Sequence, residues 1–266
     1  FGTYGFYAKS IGNLIYKNDK PTDAEITDIK KGLKDGQKQT NTSATLYGDN
    51  LIMIMLESFE WFAIDPIYTP TLWKIRTESG VAFENFYSKN KTNMSEDIGL
   101  NGNMPKDTQM STLAGKDNLN TPYSLPNLFR SLGYSANYFH GYKKTFYERD
   151  VVNKNMGFEN VYGVEDVTLE NKSTTFNDWN LDSDYINAML DKFIPDQAEP
   201  FFSFFTTVTT HGSYNRTNER FQVYYDLWKN ELDKYKTWLS ENTSYSYPED
   251  PHMEALYRQY KCAAMD

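Results

Sequence analysis

The sequence predicts an α/β protein built on a mostly parallel sheet flanked by helices. Two apolar runs carry that prediction. The run from Leu51 to Leu56 is unbroken and stops at Glu57, and the aromatic and β-branched run from Pro200 stops at His211. Such runs suit strands buried on both faces, as in a parallel sheet covered by helices. Between them, stretches with helical spacing alternate with further strand candidates, the pattern of successive βαβ units.

The elements follow in order. Residues 1–48 read as an entry segment. Within it, Phe1–Tyr16 is aromatic enough to lie along the body of a domain. A capped helix begins at Pro21 with acids early and lysines late, and Asp35–Ser43 is a polar loop. Residues 49–266 read as one domain. After the first strand, Tyr68–Gly80 reads as a short helix with Pro near its start and Gly after its end. Val81–Tyr87 is a second strand candidate, and a helix begins at Glu96. Thr121–Gly133 is a helix closed by Gly, leading into a strand over Tyr134–His140. Asp182 opens a helical stretch, the run from Pro200 to His211 is a buried strand, and Phe221–Glu241 and Pro251–Asp266 are helical.

Composition narrows the function. The 266 residues carry a net charge of −9, which argues against nucleic acid as a partner, because phosphate backbones call for a basic face. No apolar run approaches the roughly 20 residues that cross a bilayer. The one cysteine, Cys262, excludes an internal disulfide and a zinc site made of several cysteines. A metal ion would therefore rest on Glu, Asp, His, Ser or Thr.

Three predicted strands finish on Glu57, His140 and His211. In a parallel sheet all three project at the carboxyl edge, where open α/β sheets bind ligands. Glu and His together suit Mn²⁺, Zn²⁺ or Mg²⁺. The loop from Lys89 to Ser95 adds two hydroxyls, Thr92 and Ser95. Either reads as a helix N-cap or, beside a metal ion, as a nucleophile. Arg149 reads as a bidentate phosphate ligand or as the partner of Asp150. Tyr147 offers a flat surface for a small organic group. His252 lies in a Pro-rich polar stretch and is given no role.

These residues stand in a specific order. Met55-Leu-Glu57-Ser58, Tyr68-Thr-Pro-Thr-Leu, Phe83-Glu-Asn-Phe-Tyr87 and a hydroxyl-bearing loop are followed by Tyr123-Ser-Leu-Pro-Asn-Leu-Phe. Then come the segment from Gly133 through His140-Gly-Tyr-Lys-Lys-Thr-Phe-Tyr147-Glu-Arg149 and the run ending at His211. From about Leu51 to Asp266 the chain resembles the lipoteichoic acid synthase family. The resemblance implies a sulfatase-like, alkaline-phosphatase-superfamily fold on the extracellular face of a bacterial, typically Gram-positive, cell membrane, held there by transmembrane segments of the parent. It implies a divalent metal, typically Mn²⁺ with Mg²⁺ or Zn²⁺ as alternatives. It also implies transfer of glycerol phosphate from a phosphatidylglycerol-type lipid to a polymer or sugar acceptor.

Carried over by position, the resemblance makes Glu57 a metal ligand and Thr92 both nucleophile and metal ligand, with Ser95 in reserve. It makes His140, Tyr147, Arg149 and His211 substrate contacts. Tyr147 stands where the family has Trp, and Tyr142 where an acid is common. The family completes its metal site with an adjacent Asp-His pair, which this sequence lacks. The expectation is a catalytic domain incomplete at its C-terminal side, short of two metal ligands and at least one strand. Two rival functions are a phosphoethanolamine transferase or phosphodiesterase of the same superfamily, and a non-catalytic headgroup-binding domain.

Overall fold

The structure is a computed structural model that describes residues 22–36, 48–83, 86–88, 91–102, 121–214 and 219–266. The chain divides into two units, Phe1–Tyr47 and Gly48–Asp266. In the first, helix α1 spans Asp23–Gly36, and the Thr27 hydroxyl donates to the Asp23 carbonyl. The aromatic stretch Phe1–Tyr16 lies outside the described residues.

The second unit is built on four parallel strands, β1 (Leu51–Met55), β2 (Ser135–His140), β3 (Asn160–Tyr162) and β4 (Phe201–Thr206), in the order β1-β4-β2-β3. Met55 and His140 both lie opposite Thr206, so β1, β4 and β2 finish level. In β4 all six residues are buried. Phe202 and Phe204 pack on one face with Ala136, Tyr138, Val152, Met156 and Phe158. Phe205 packs on the other with Phe139, Tyr185, Met189 and Phe193. The aromatic run is therefore a strand with two cores, one on each side of the sheet.

The remaining helices are α2 (Pro70–Lys74), continued by a π-turn over Ile75–Ser79, α3 (Thr92–Asn101), α4 (Leu125–Ser131), α5 (Arg149–Asn155), α6 (Asp182–Ala188), α7 (Leu190–Phe193), α8 (Gln222–Asn242) and α9 (Pro251–Ala264). Local chemistry explains their ends. Ser124 caps α4 by accepting from Asn127 N, with Pro126 in the first turn. Asp250 caps α9 by accepting from His252 N and Met253 N, with Pro251 behind it. The exposed His252 is thus a first-turn residue.

Three sequence expectations need correction. First, β1 is not buried on both faces. Leu51, Met53 and Met55 face the core, whereas Ile52 and Ile54 are 42% and 50% exposed. The cause is position: among the described strands β1 pairs only with β4. Second, Val81–Tyr87 forms no strand among its described residues, and Val81 and Tyr87 are 84% and 85% exposed. Strand composition expresses itself only where a neighbour supplies the ladder, and none of the described strands lies beside this segment. Third, the Pro200–His211 strand stops at Thr206. Beyond it Thr207 N still donates to the Met55 carbonyl, and the threonine hydroxyls take partners of their own: Thr207 Oγ1 accepts from Glu57 N at 2.8 Å and Thr209 Oγ1 accepts from Asp182 N at 2.9 Å.

Candidate active site

The carboxyl edge of the sheet carries the predicted residues. Glu57 lies two residues past β1 and is held by its backbone, whose N–H donates to Thr207 Oγ1 and whose carbonyl accepts from Thr210 Oγ1. Helix α3 starts at Thr92, four residues earlier than the sequence suggests, which puts Thr92 in its first turn. The Thr92 hydroxyl donates to Glu57 Oε2 at 2.7 Å, and the Ser58 hydroxyl donates to Glu57 Oε1 at 2.8 Å. Thr92 makes no N-cap bond, because Lys91 is the capping position.

Glu57 and Thr92 open onto a cavity of about 240 Å³, also lined by Ser58, Ser88, Lys91 and Ser95. The first turn of α3 lines this cavity through Thr92 and Ser95, and the positive end of a helix dipole favours anions. A larger cavity of about 450 Å³ runs past Ile54, Leu56, Leu72, Ile186 and Phe205, and none of the predicted site residues lines it. The chemistry therefore points to the smaller one.

Along the same edge, His140 closes β2 and is buried. Its Nδ1 lies 3.0 Å from the Thr206 carbonyl. A carbonyl only accepts, so Nδ1 carries the proton and Nε2 keeps its lone pair. Burial first, and then Arg149, hold its pKa well below the usual histidine value. His211 Nδ1 lies 2.5 Å from the Gly212 carbonyl, and its ring meets Phe176 edge-on and Trp179 at a tilt.

Arg149 is the largest departure from expectation. It does not pair with Asp150. Its side chain is 1% exposed and meets Glu96, which is 2% exposed, at 3.1 Å through Nε. Nε also meets Tyr138 Oη at 2.9 Å, and Nη1 donates to the Phe146 carbonyl at 3.1 Å. Burial works against the charge, but Glu96 and the hydrogen bonds outweigh it, so the guanidinium pKa is raised and the group stays cationic. The guanidinium carbon lies 5.2 Å from the ring centre of Tyr147, a cation–π contact. Tyr147 and Glu148 both hold positive φ, 59° and 51°, a costly pair of conformations for side-chain-bearing residues and one found mainly at functional sites. Tyr142 is buried, and its hydroxyl donates to the Thr174 carbonyl.

The sequence reading missed Glu96, Tyr138 and Thr206. Glu96 Oε1 accepts from Tyr138 Oη at 2.6 Å and from Thr206 Oγ1 at 2.8 Å as well as from Arg149. The one signal for it was spacing: Glu96 lies four residues after Thr92, on the same face of a helix.

Two oxygen donors, a carboxylate and a hydroxyl, converge at the cavity, a set that suits a hard divalent cation. Among the described residues, no group of three or more His, Cys, Asp or Glu side chains is placed to hold a metal ion. Among the described residues, too, no helix is long and apolar enough to cross a membrane.

Comparison with known proteins agrees with this architecture. Lipoteichoic acid synthase of Staphylococcus saprophyticus subsp. saprophyticus is 32% identical over 240 residues, covering 82% of this chain and 36% of that protein, so the chain spans about a third of that relative's length. Among solved structures, the lipoteichoic acid synthase LtaP of Listeria monocytogenes superposes with a TM-score of 0.58 at 18% identity, covering 88% of this chain and 55% of that one. A protein of the alkaline phosphatase superfamily from Vibrio parahaemolyticus superposes with a TM-score of 0.59 at 16% identity, covering 92% and 58%. Those two likenesses show the fold. The sulfatase family model matches residues 49–260, and the chain belongs to the sulfatase family.

Proposed function

We propose that the protein is a metal-dependent phosphoglycerol transferase, working on the extracellular face of a bacterial membrane. It moves glycerol phosphate from phosphatidylglycerol to a lipoteichoic-acid-type or other cell-envelope acceptor. The observation that carries the reading is the 2.7 Å bond from Thr92 Oγ1 to Glu57 Oε2 at the start of a helix, in a chain similar to lipoteichoic acid synthases.

Glu57 and Thr92 are the residues of this chain that would hold a divalent ion, Mn²⁺ by family resemblance and otherwise Mg²⁺ or Zn²⁺. Bound there, such an ion lowers the pKa of an oxygen nucleophile and offsets charge on the phosphoryl group.

The chain's own residues account for the remaining steps. Thr92 Oγ attacks phosphorus as its proton passes to Glu57 Oε2, to which it already donates. The bond from phosphorus to the diacylglycerol oxygen breaks, and His211 gives that oxygen a proton. Glycerol phosphate remains esterified to Thr92. In the second half the acceptor hydroxyl loses its proton to His211 and attacks phosphorus, and Thr92 recovers its proton from Glu57. His140, neutral with a free Nε2, suits holding a substrate hydroxyl better than donating a proton. Arg149 supplies fixed positive charge to the phosphoryl oxygens, and Tyr147 walls the headgroup.

The test uses the longest natural protein that contains these residues, assayed with Mn²⁺ for headgroup release. Thr92→Ala should abolish turnover, and intact mass should show glycerol phosphate on Thr92 in the wild type. Turnover that survives in Thr92→Ala moves the nucleophile to Ser95, which lines the same cavity. Because Tyr142 brings no carboxylate to the headgroup side, phosphatidylethanolamine belongs in the same assay. Release of ethanolamine phosphate alone would replace the glycerol reading.

A further inference from the structure

We propose that Glu96 is a positioning residue that acts through Arg149: it fixes the guanidinium and locks it to the helix that carries Thr92. The inference rests on the transferase reading above and adds to it a residue outside the cavity.

Four observations support it. Glu96 and Arg149 are almost fully enclosed, 2% and 1% exposed, and a buried arginine without a counter-charge would be strongly disfavoured. Arg149 is also the first residue of α5, where the helix dipole opposes a cation. Its placement therefore depends on Glu96. Next, Glu96 Oε1 gathers three donors from three other elements: Arg149 Nε from α5, Tyr138 Oη from β2 and Thr206 Oγ1 from β4. The same Thr206 accepts from His140 through its carbonyl, so one residue links the carboxylate to a second predicted substrate contact.

The third observation is what remains of the guanidinium. Nε is taken by Glu96 and Tyr138, and Nη1 by the Phe146 carbonyl. Among the described residues Nη2 has no hydrogen-bond partner, which leaves it as the nitrogen for a phosphoryl oxygen. Last, Glu96 lies one helical turn from Thr92 in α3. The nucleophile and the anchor of the phosphoryl-binding cation thus ride on one rigid element, and a shift of either moves both.

Glu96→Gln is nearly isosteric and keeps an oxygen acceptor while removing the charge. Arg149→Lys keeps a charge but loses the fork. In the longest natural protein with Mn²⁺, headgroup release and urea unfolding are measured for both variants, for the double variant and for Thr92→Ala. Glu96→Gln should lower kcat/KM about 100-fold, chiefly in kcat, as expected for a misplaced catalytic contact. The double variant should be no slower than Arg149→Lys alone, because Glu96 has nothing left to position.

Wild-type kinetics in folded Glu96→Gln, or losses that multiply in the double variant, would overturn the proposal and leave the pair purely structural. If Glu96→Gln does not fold, Tyr138→Phe removes one hydroxyl from the network, the group that donates to Glu96 Oε1 and accepts from Arg149 Nε. A lowered kcat with unchanged KM then supports the proposal, and unchanged kinetics sinks it. Removing the hydroxyls separates the two ideas: full activity in Thr92→Ala moves the nucleophile to Ser95 on the same helix, and full activity in the Thr92→Ala, Ser95→Ala double variant takes down the transferase reading and this inference together. An inactive Thr92→Ala beside a fully active Glu96→Gln removes only the role of Glu96.

Discussion

Thr92 and Glu57 are joined by a 2.7 Å hydrogen bond between residues 35 positions apart in the chain. The bond exists because β1 delivers Glu57 to the carboxyl edge of the sheet and α3 begins at Thr92. Glu57→Gln keeps the size of the side chain and removes its charge. It should weaken Mn²⁺ binding about 10- to 100-fold and cut headgroup release about 100-fold or more. Calorimetry with Mn²⁺ reads the first and the release assay the second. Wild-type metal affinity in Glu57→Gln would remove Glu57 from the metal site.

Much of this edge was legible in the sequence, for a physical reason. A strand in a parallel sheet is an apolar run, and its polar stop marks the edge, so Glu57 and His140 could be placed without coordinates. His211 could be placed only roughly, because β-branched threonines continue the look of a strand after the ladder has ended at Thr206. Other features left no periodic trace. β3 is three residues long, too short to alternate visibly. Helix α5 offers only Val151 and Val152 as apolar positions in seven residues. The partner of Arg149 is 53 positions away, and no local pattern distinguishes it from the adjacent Asp150. Val81–Tyr87 shows the converse: composition promised a strand that its surroundings do not complete.

His140 gives a pH prediction. Burial and Arg149 depress its folded pKa well below the ordinary 6.5. Below 6.5 the unfolded chain takes up a proton that the folded protein refuses, so this group makes stability rise with pH up to about 6.5 and contributes no slope above it. The slope is at most about 1.4 kcal/mol per pH unit. Urea unfolding from pH 5 to 8 should show it as a difference between the wild type and His140→Asn, whose amide can still donate to the Thr206 carbonyl. A His140 resonance titrating near 6.5 in the folded protein would refute it.

Lys261 and Asp65 form a second enclosed ion pair. Both side chains are wholly buried, and the ammonium also reaches the Phe62 and Ala63 carbonyls and lies over the rings of Tyr68 and Tyr235. Asp65 meanwhile accepts from Ile67 N and Tyr68 N. Lys261→Met fills similar space but strands the carboxylate, and should cost about 3–5 kcal/mol of stability. Adding Asp65→Asn removes the stranded charge while keeping an oxygen for the two backbone donors, and should recover part of the loss. Equal unfolding midpoints for Lys261→Met and the wild type would show that the pair contributes nothing.

Asp182 governs the loop that leads to His211. Its buried carboxylate accepts from Val208 N and Thr209 N, while its own backbone N–H donates to Thr209 Oγ1 and to Asp266. Asp182→Ala would leave the amides of Val208 and Thr209 without acceptors, at about 1–3 kcal/mol for each group stranded. Hydrogen exchange at those two amides should quicken, while exchange in the middle of β4 stays slow. The carboxyl also has a pH signature opposite to that of His140. Burial, and then Asp266, push its pKa from 3.8 up to about 7. Between those values the folded protein keeps a proton that the unfolded chain has lost, so this contribution to stability falls as pH rises from about 4 to 7 and is level beyond. Asp182→Asn cannot titrate, so its stability relative to wild type should improve steadily across that window. A constant difference between the two from pH 4 to 7 would mean that Asp182 ionises as an ordinary carboxylate, and that its hydrogen bonds to Val208 and Thr209 outweigh both burial and Asp266.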